Sequence, residues 1–353
     1  MTLLLADGFG WLETKTHTYD AAPYFFSSGQ WAAVQNDVVV AAYATGRKTV
    51  GRDSNYGLRL ATKTLGSLSR VVCGVRVVSA SPILSSQAGL INFYDGTASL
   101  GTIFFDQTGE ITYKNHNRST GTTIATATAN VAQPGVTYVE ADITFHNSAG
   151  IVKIWVNGAL VCNETGVDTI GTNGGFTPGT VCTKITFDGT SVYEAMGTVT
   201  TLTDIYVDSD TQHGDVKIET KACTVAGSES DWSPAASTNI SQVDEIPTDD
   251  DTTYVNSAVN GDRDAYKCAA MTGIGEIKAI IHQLRLRKED ANDGQVKIGA
   301  QISGSEDQTA DLVTGGTDYE QAVGIFELNP DTGVAFLESE LTSLELTVEN
   351  TSV

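Results

Sequence analysis

Residues 153–161 read Lys-Ile-Trp-Val-Asn-Gly-Ala-Leu-Val: an apolar run, an Asn-Gly pair, and a second apolar run. Both central positions of a two-residue β-hairpin turn need positive φ, which asparagine and glycine tolerate best. The stretch therefore predicts a tight hairpin about Asn157 and Gly158. With Val156 opposite Ala159, strand alternation puts Val152, Ile154, Val156, Ala159 and Val161 on one apolar face. Lys153, Trp155, Leu160 and Cys162 fall on the other, which carries one large aromatic among mixed neighbours. The first face is expected in a core.

Strand signals extend to both sides of this hairpin. Along 136–145, Val139, Ala141, Ile143 and Phe145 alternate with Tyr138, Glu140, Asp142 and Thr144. The β-branched run Arg-Val-Val-Cys-Gly-Val-Arg-Val-Val at 70–78 predicts a central strand packed on both faces. Further strands are expected at 38–40, 58–60, 90–94, 102–106, 110–113 and 202–208. Turn signals recur at the roughly 8–12-residue spacing of a β-sandwich or barrel. The chain's 35 glycines against 7 prolines fit many short strands joined by tight turns.

The polar stretch Ser-Asp-Thr-Gln-His-Gly-Asp at 209–215 marks a boundary, giving domains 1–208 and 209–353. The second is expected to begin with a strand at 216–219 and to pass through an irregular acidic segment at 243–255. Residues 276–288 carry two periodicities. Ile277, Ile280, Ile281 and Leu284 fit a helix, while Ile280, His282, Leu284 and Leu286 alternate. The Asn292-Asp293-Gly294 turn and the alternation of Val296, Ile298, Ala300 and Ile302 favour a long hairpin. Leu344, Leu346 and Val348 predict a last strand. No fixed-period repeat is visible.

A chain of 353 residues with 41% hydrophobic and 18% charged residues is globular and long enough for two cores. The net charge of −22 excludes the clustered basic surface that nucleic acid demands. Arg285, Arg287 and Lys288 are followed at once by Glu289 and Asp290 and read as a solvated strand end. Five widely spaced cysteines without a Cys-x-x-Cys pair predict reduced, buried thiols rather than a disulfide framework or zinc site. Cys162 and Cys182 are the pair to weigh against that. The first residues lack the basic region of a secretory signal, and no apolar stretch approaches the roughly 20 residues of a membrane span. Synthesis in the cytoplasm without membrane insertion is the expectation.

Several ordered stretches carry a resemblance. Tyr-Val-Glu-Ala-Asp-Ile-Thr-Phe (138–145), the hairpin, Thr-Gly-Val-Asp-Thr (165–169) and Leu-Thr-Asp-Ile-Tyr-Val-Asp-Ser-Asp (202–210) resemble the closing half of a concanavalin-A-like, laminin-G-like sandwich. The opening Ala-Asp-Gly-Phe-Gly-Trp-Leu (6–12), and Gly51-Arg52 ahead of the 58–60 strand, resemble the start of such domains in tailed-bacteriophage virion proteins. These continue, as here, into a β domain. The resemblance implies an all-β chain, a jelly-roll sandwich followed by a second sandwich or jelly-roll-like domain. It also implies a virion location, with other virion proteins as partners and a homo-oligomer, a trimer by analogy with fibres and decoration proteins.

The function implied is that of a non-enzymatic structural protein, a head or tail decoration or short fibre. The alternative is a module of a phage fibre that binds host-surface glycan. A glycosidase is the third reading. Retaining β-glucanases on this fold carry Glu-x-Asp-x-Glu, with two carboxyls about 5 Å apart. Here Glu140-Ala141-Asp142-Ile143-Thr144 replaces the second glutamate by threonine. Glu140 and Asp142 therefore read first as polar residues on the outward face of a strand.

Trp155, beside Leu160, either stacks on a sugar ring or packs against a neighbouring subunit. Trp11, Trp31 and Trp232 read as core or loop anchors. Asp249, Asp250 and Asp251, near Asp244 and Glu245, offer hard oxygen ligands to calcium but lack the spacing of a calcium-binding loop. A solvated acidic loop is the plainer reading, and no other cofactor is expected. Asp168 and Asp204 are similarly weak calcium candidates, implied by the resemblance to concanavalin-like domains that hold calcium at a loop edge. His17, His116, His146, His213 and His282 are isolated and read as surface or core residues, and no nucleophile elbow is present.

Overall fold

The structure is a computed structural model. It describes residues 3–7, 33–34, 38–44, 47–52, 61–79, 88–105, 109–117, 119–127, 135–171, 179–188, 200–246, 248–268, 275–289, 294–314 and 317–352. The expectations for Trp11, Trp31, His17, the 58–60 strand, residues 8–12 of the opening and the Asn292-Asp293 turn lie outside these residues. The described residues form two units, the second beginning at Thr220. They are all β apart from two 3-10 turns, and no helix is long and apolar enough to cross a membrane.

The first unit contains β1 (Leu3–Asp7), β2 (Ala33–Val34), β3 (Val38–Ala44), β4 (Arg47–Arg52), β5 (Ala61–Leu68), β6 (Arg70–Ser79), β7 (Ala88–Asp95) and β8 (Ala98–Phe105). It continues with β9 (Ile111–Asn115), β10 (Thr123–Thr126), β11 (Gly135–Thr144), β12 (Gly150–Val156), β13 (Ala159–Val167), β14 (Cys182–Phe187) and β15 (Thr200–Asp208). These strands pair antiparallel into two sheets. One runs β13-β12-β11-β6-β15-β4-β3, with β1 also on β15; the other runs β10-β9-β8-β7-β14-β5-β2. The two sheets face each other across one core, a β-sandwich.

On β6 and β11 that core is built from alternate residues, as the pleat requires, while register shifts between β7 and β8 bring the adjacent Leu90 and Ile91 into it. Val71, Cys73, Val75 and Val77 of β6 meet Val139, Ala141 and Ile143 of β11 on one inner face, and Leu90, Ile91, Phe93, Ile103 and Ile185 line the other. Phe93 and Phe145 bridge the layers with ring centroids 5.4 Å apart. Burying each such side chain contributes about 1.5–3 kcal/mol.

The Asn157-Gly158 turn forms as expected. Both residues have positive φ, 49° and 81°, and Val156 pairs with Ala159. Beyond Trp155–Leu160 the register slips, and Ile154 pairs with Cys162. A β-bulge at Val161 thus reverses the inside-outside sense of β13. Cys162 enters the core and Ala159 is exposed, the reverse of the simple alternation.

The outward face of β6 and β11 is buried as well. Gly74 lies beneath two tyrosines, and a Cβ there would run into the Tyr138 hydroxyl and the Tyr206 ring.

The second unit contains β16 (Cys223–Ser230), β17 (Ser233–Pro234), β18 (Val255–Asn256), β19 (Arg263–Cys268), β20 (Ile280–Leu286), β21 (Gly294–Ile302), β22 (Ser305–Gln308), β23 (Leu312–Thr314), β24 (Glu320–Phe326) and β25 (Glu345–Asn350). Its main sheet runs β16-β19-β25-β21-β22, with β23 on β21. The β20–β24 pair packs on this sheet through Leu284, Ala322 and Phe326 against Val296, Ile298, Ala300 and Val348. Both β20 and β21 are strands, but they do not form the expected hairpin, since β20 pairs with β24 in a separate layer. Residues 216–219 form no strand.

His282 on β20 is buried, with Nδ1 3.3 Å from the Gly299 carbonyl oxygen. Burial lowers its pKa to about 4, against about 6.5 in an unfolded chain. The folded state holds the neutral ring. Its stabilisation is therefore complete above about pH 6.5 and drains away as pH falls toward 4, by about 3 kcal/mol. The melting temperature of the second unit should fall over that window, and His282→Gln should flatten the fall. In the first unit, Gly74→Ala should destabilise by about 2 kcal/mol or more through overpacking, read by chemical denaturation.

Candidate functional site

Among the described side chains, the outward face of the first sheet has a covered part and a more exposed part. Register places Leu160, Trp155, Glu140, Gly74 and Tyr206 in one row across β13, β12, β11, β6 and β15. The next row holds Asn163, Lys153, Asp142, Val72 and Asp208.

Residues 209–219 lie over the central strands β11, β6 and β15. Glu140 is 2% exposed and accepts hydrogen bonds from the Tyr206 hydroxyl, Gln212 Nε2, the His213 amide (3.1 Å) and the Gly214 amide (2.8 Å). His213 Nε2 is 2.8 Å from Asp208 Oδ2, and its ring meets Tyr206 edge-on. Asp208 Oδ1 accepts the amides of Asp210 and Thr211 at 2.8 and 2.9 Å, which turns the chain back over the sheet. Burial, then the neighbouring Glu140 charge, pushes the Tyr206 phenol far above its ordinary range, so it remains a donor.

Arg76 secures the next part of the segment. It pairs with Asp204 and Asp215, donates to the Val216 carbonyl at 2.7 Å, and lies over the Tyr138 ring. Burial opposes its charge, but the two carboxylates outweigh that and raise its pKa. Asp204 also accepts the Ile218 amide at 3.1 Å. Asp142 receives a two-pronged contact from Arg70 at 2.8 and 3.0 Å.

Glu140 and Asp142 thus do not lie on a solvated strand face. The segment after β15 supplies donors to Glu140, and Arg70 engages both oxygens of Asp142.

The open part is the β12–β13 edge. Trp155 is partly buried, and its cross-strand neighbour Leu160 is 48% exposed. Lys153 and exposed Asn163 pair beside them. The patch joins an indole face to polar neighbours, as an aromatic platform requires.

The other candidate residues are held by local partners. Asp250 binds the Arg285 guanidinium, and Asp251 lies 2.6 Å from Arg287. Both guanidiniums lie over the Tyr319 ring, whose hydroxyl donates to Asp251 at 3.0 Å. Asp249 accepts the Thr253 amide and hydroxyl, and Glu245 accepts that same hydroxyl. The acidic loop and the basic strand end, remote in sequence, are one ion-paired cluster. Asp168 caps a turn by accepting the Ile170 and Gly171 amides. His146 Nδ1 does the same for Ser148 and Ala149. Trp232 anchors a loop through Nε1 to the Asp262 carbonyl. Among the described residues, no group of three or more His, Cys, Asp or Glu is arranged to hold a metal ion.

Sequence reasoning missed Tyr206, Gln212, His213 and Gly214 as donors to Glu140, and Arg76 and Asp208 as the residues that fix the same segment. For Arg76, Tyr206 and Asp208 the one-dimensional signal was polar and aromatic residues alternating with core residues on β6 and β15.

No protein-family profile matches the chain, and no curated protein matches it. Solved structures do. An alginate lyase, Aly36B, in complex with alginate tetrasaccharide is 14% identical over 61% of this chain and 98% of its own, with a TM-score of 0.39. The cellulose-induced protein Cip1 is 14% identical over 60% of this chain and 100% of its own, with a TM-score of 0.40. The CBM2 module of the evolved Dit protein of Lactobacillus casei BL23 phage J-1 is 11% identical over 59% of this chain and 95% of its own, with a TM-score of 0.34.

Proposed function

We propose that the chain is a non-catalytic phage virion component whose first, concanavalin-A-like or laminin-G-like sandwich binds host-surface glycan at the open β12–β13 edge. The observation that carries this reading is the position of Trp155. It is the large aromatic on the part of the outward face that residues 209–219 leave uncovered. Its indole supplies apolar area for a sugar ring, and Lys153 and Asn163 supply polar contacts at the rim. The net charge of −22 favours a neutral or basic glycan over a polyanion.

Glu140 supports the non-catalytic reading. A general acid must reach the substrate, whereas this carboxylate faces four protein donors beneath a chain segment. Its role is to hold that segment down.

A second reading has its own observation. Leu160, 48% exposed, lies beside Trp155 on the edge strand β13. Exposed apolar side chains on a sheet edge also suit contact with another copy or a virion protein, and in this reading the chain is a decoration or fibre subunit, a trimer by analogy.

Purified full-length protein should bind at least one polysaccharide of a host-envelope panel by calorimetry. Trp155→Ala should weaken that binding about tenfold or more, equivalent to at least about 1.4 kcal/mol, with the melting temperature unchanged. Absence of binding across the panel, together with a stable oligomer that Leu160→Glu dissociates, would move the function to subunit contact. No reducing ends should be released from any panel member. Glu140→Gln should instead cost about 2–3 kcal/mol of stability and expose residues 209–219 to proteolysis, since the amide turns a donor toward donors.

A further inference from the structure

We propose that Cys223 and Cys268 are a disulfide-forming pair that covalently staples the edge of the second unit's main sheet. The inference stands apart from the glycan reading. Cys223 opens β16 and Cys268 closes β19, and the two are direct cross-strand partners. Directly opposed residues of an antiparallel pair have Cα atoms about 4.5–5.5 Å apart, inside the range that a disulfide spans. Their Sγ atoms lie 2.9 Å apart, so little movement separates the thiols from a bond. The other three cysteines are buried in the first unit.

The place of the pair in the sheet explains what a bond would do. β16 is the edge of the main sheet, and β19 is its partner there. Its register slips twice, between Cys223 and Val225 and between Ala226 and Ser230, and most of its side chains face solvent. An edge strand with interrupted pairing and little buried area is weakly held. A bond between residues 45 apart would remove much of the freedom of the unfolded loop and pin β16 at its start.

The hydrogen bond between the two thiols lowers Cys268 and, with burial, raises Cys223. Either sulfur, once ionised, can open the exchange. With a small-molecule disulfide as oxidant, one thiolate of the pair attacks one of its sulfurs and expels one small thiolate. The other cysteine, losing its proton, then attacks the first Sγ and expels the second. One small disulfide is reduced to two thiols, and two cysteines are oxidised to one cystine. Cytoplasmic glutathione would keep the pair reduced, and release into an oxidising medium would close it.

The test uses the full chain with oxidised glutathione. Thiol titration in denaturant should fall from five per chain to three, and non-reducing peptide mapping should recover a Cys223–Cys268 linked peptide. The melting temperature of the second unit should rise by about 10 °C and return on reduction. Cys223→Ser should retain one glutathione on Cys268, where the wild type retains none. Five thiols remaining after oxidation, or a linked peptide built from other cysteines, would overturn the proposal.

Discussion

A buried carboxylate costs several kcal/mol unless donors surround it, and Glu140 meets that constraint by gathering them from two parts of the chain. Tyr206 comes from β15, while Gln212, His213 and Gly214 come from the segment that follows it. Removing the segment would leave the charge facing only a phenol, so burial of Glu140 and docking of residues 209–219 are one event. Arg76 repeats the logic a few residues along. Asp204 and Asp215 neutralise it, and the Val216 carbonyl accepts one of its N–H groups. Gly74 belongs to the same arrangement, because the two tyrosines that line the face close over its missing side chain.

Ion pairs and hydrogen bonds engage the carboxylates at the sheet's centre, whereas Leu160 on β13, beside Trp155 on β12, is 48% exposed. A face made of satisfied ion pairs is rigid and specific in conformation but offers little to bind. An indole beside an exposed leucine, with a lysine and an asparagine at the rim, is the reverse.

The second unit uses charge differently. Its acidic loop and basic strand end neutralise each other across 35 residues of sequence, with Tyr319 as a shared platform for both guanidiniums. Such partly exposed pairs contribute little each, but as a network they define where an irregular loop lies. The carboxylates at 249–251 are thereby occupied by arginine, threonine and tyrosine donors.

What the sequence by itself determined is local. The hairpin at Asn157-Gly158, the central strand at 70–78, the alternation of 136–145 and the strands at 202–208 and 296–302 were legible because turn chemistry and a two-residue period are properties of neighbouring residues. The all-β sandwich follows from their number and spacing. Tertiary structure decided the rest. One bulge at Val161 moved Cys162 into the core, which no alternation pattern predicts. β20 left its neighbour β21 for β24, because pairing depends on which layer needs an apolar face. Glu140 and Asp142 read as polar residues on an outward strand face because their partners lie some 70 residues away, Gln212, His213 and Gly214 after Glu140 and Arg70 before Asp142. Cys223 met Cys268 only through the pairing of β16 with β19. Each of these outcomes rests on contacts between residues far apart in the chain, and a one-dimensional pattern carries no record of them.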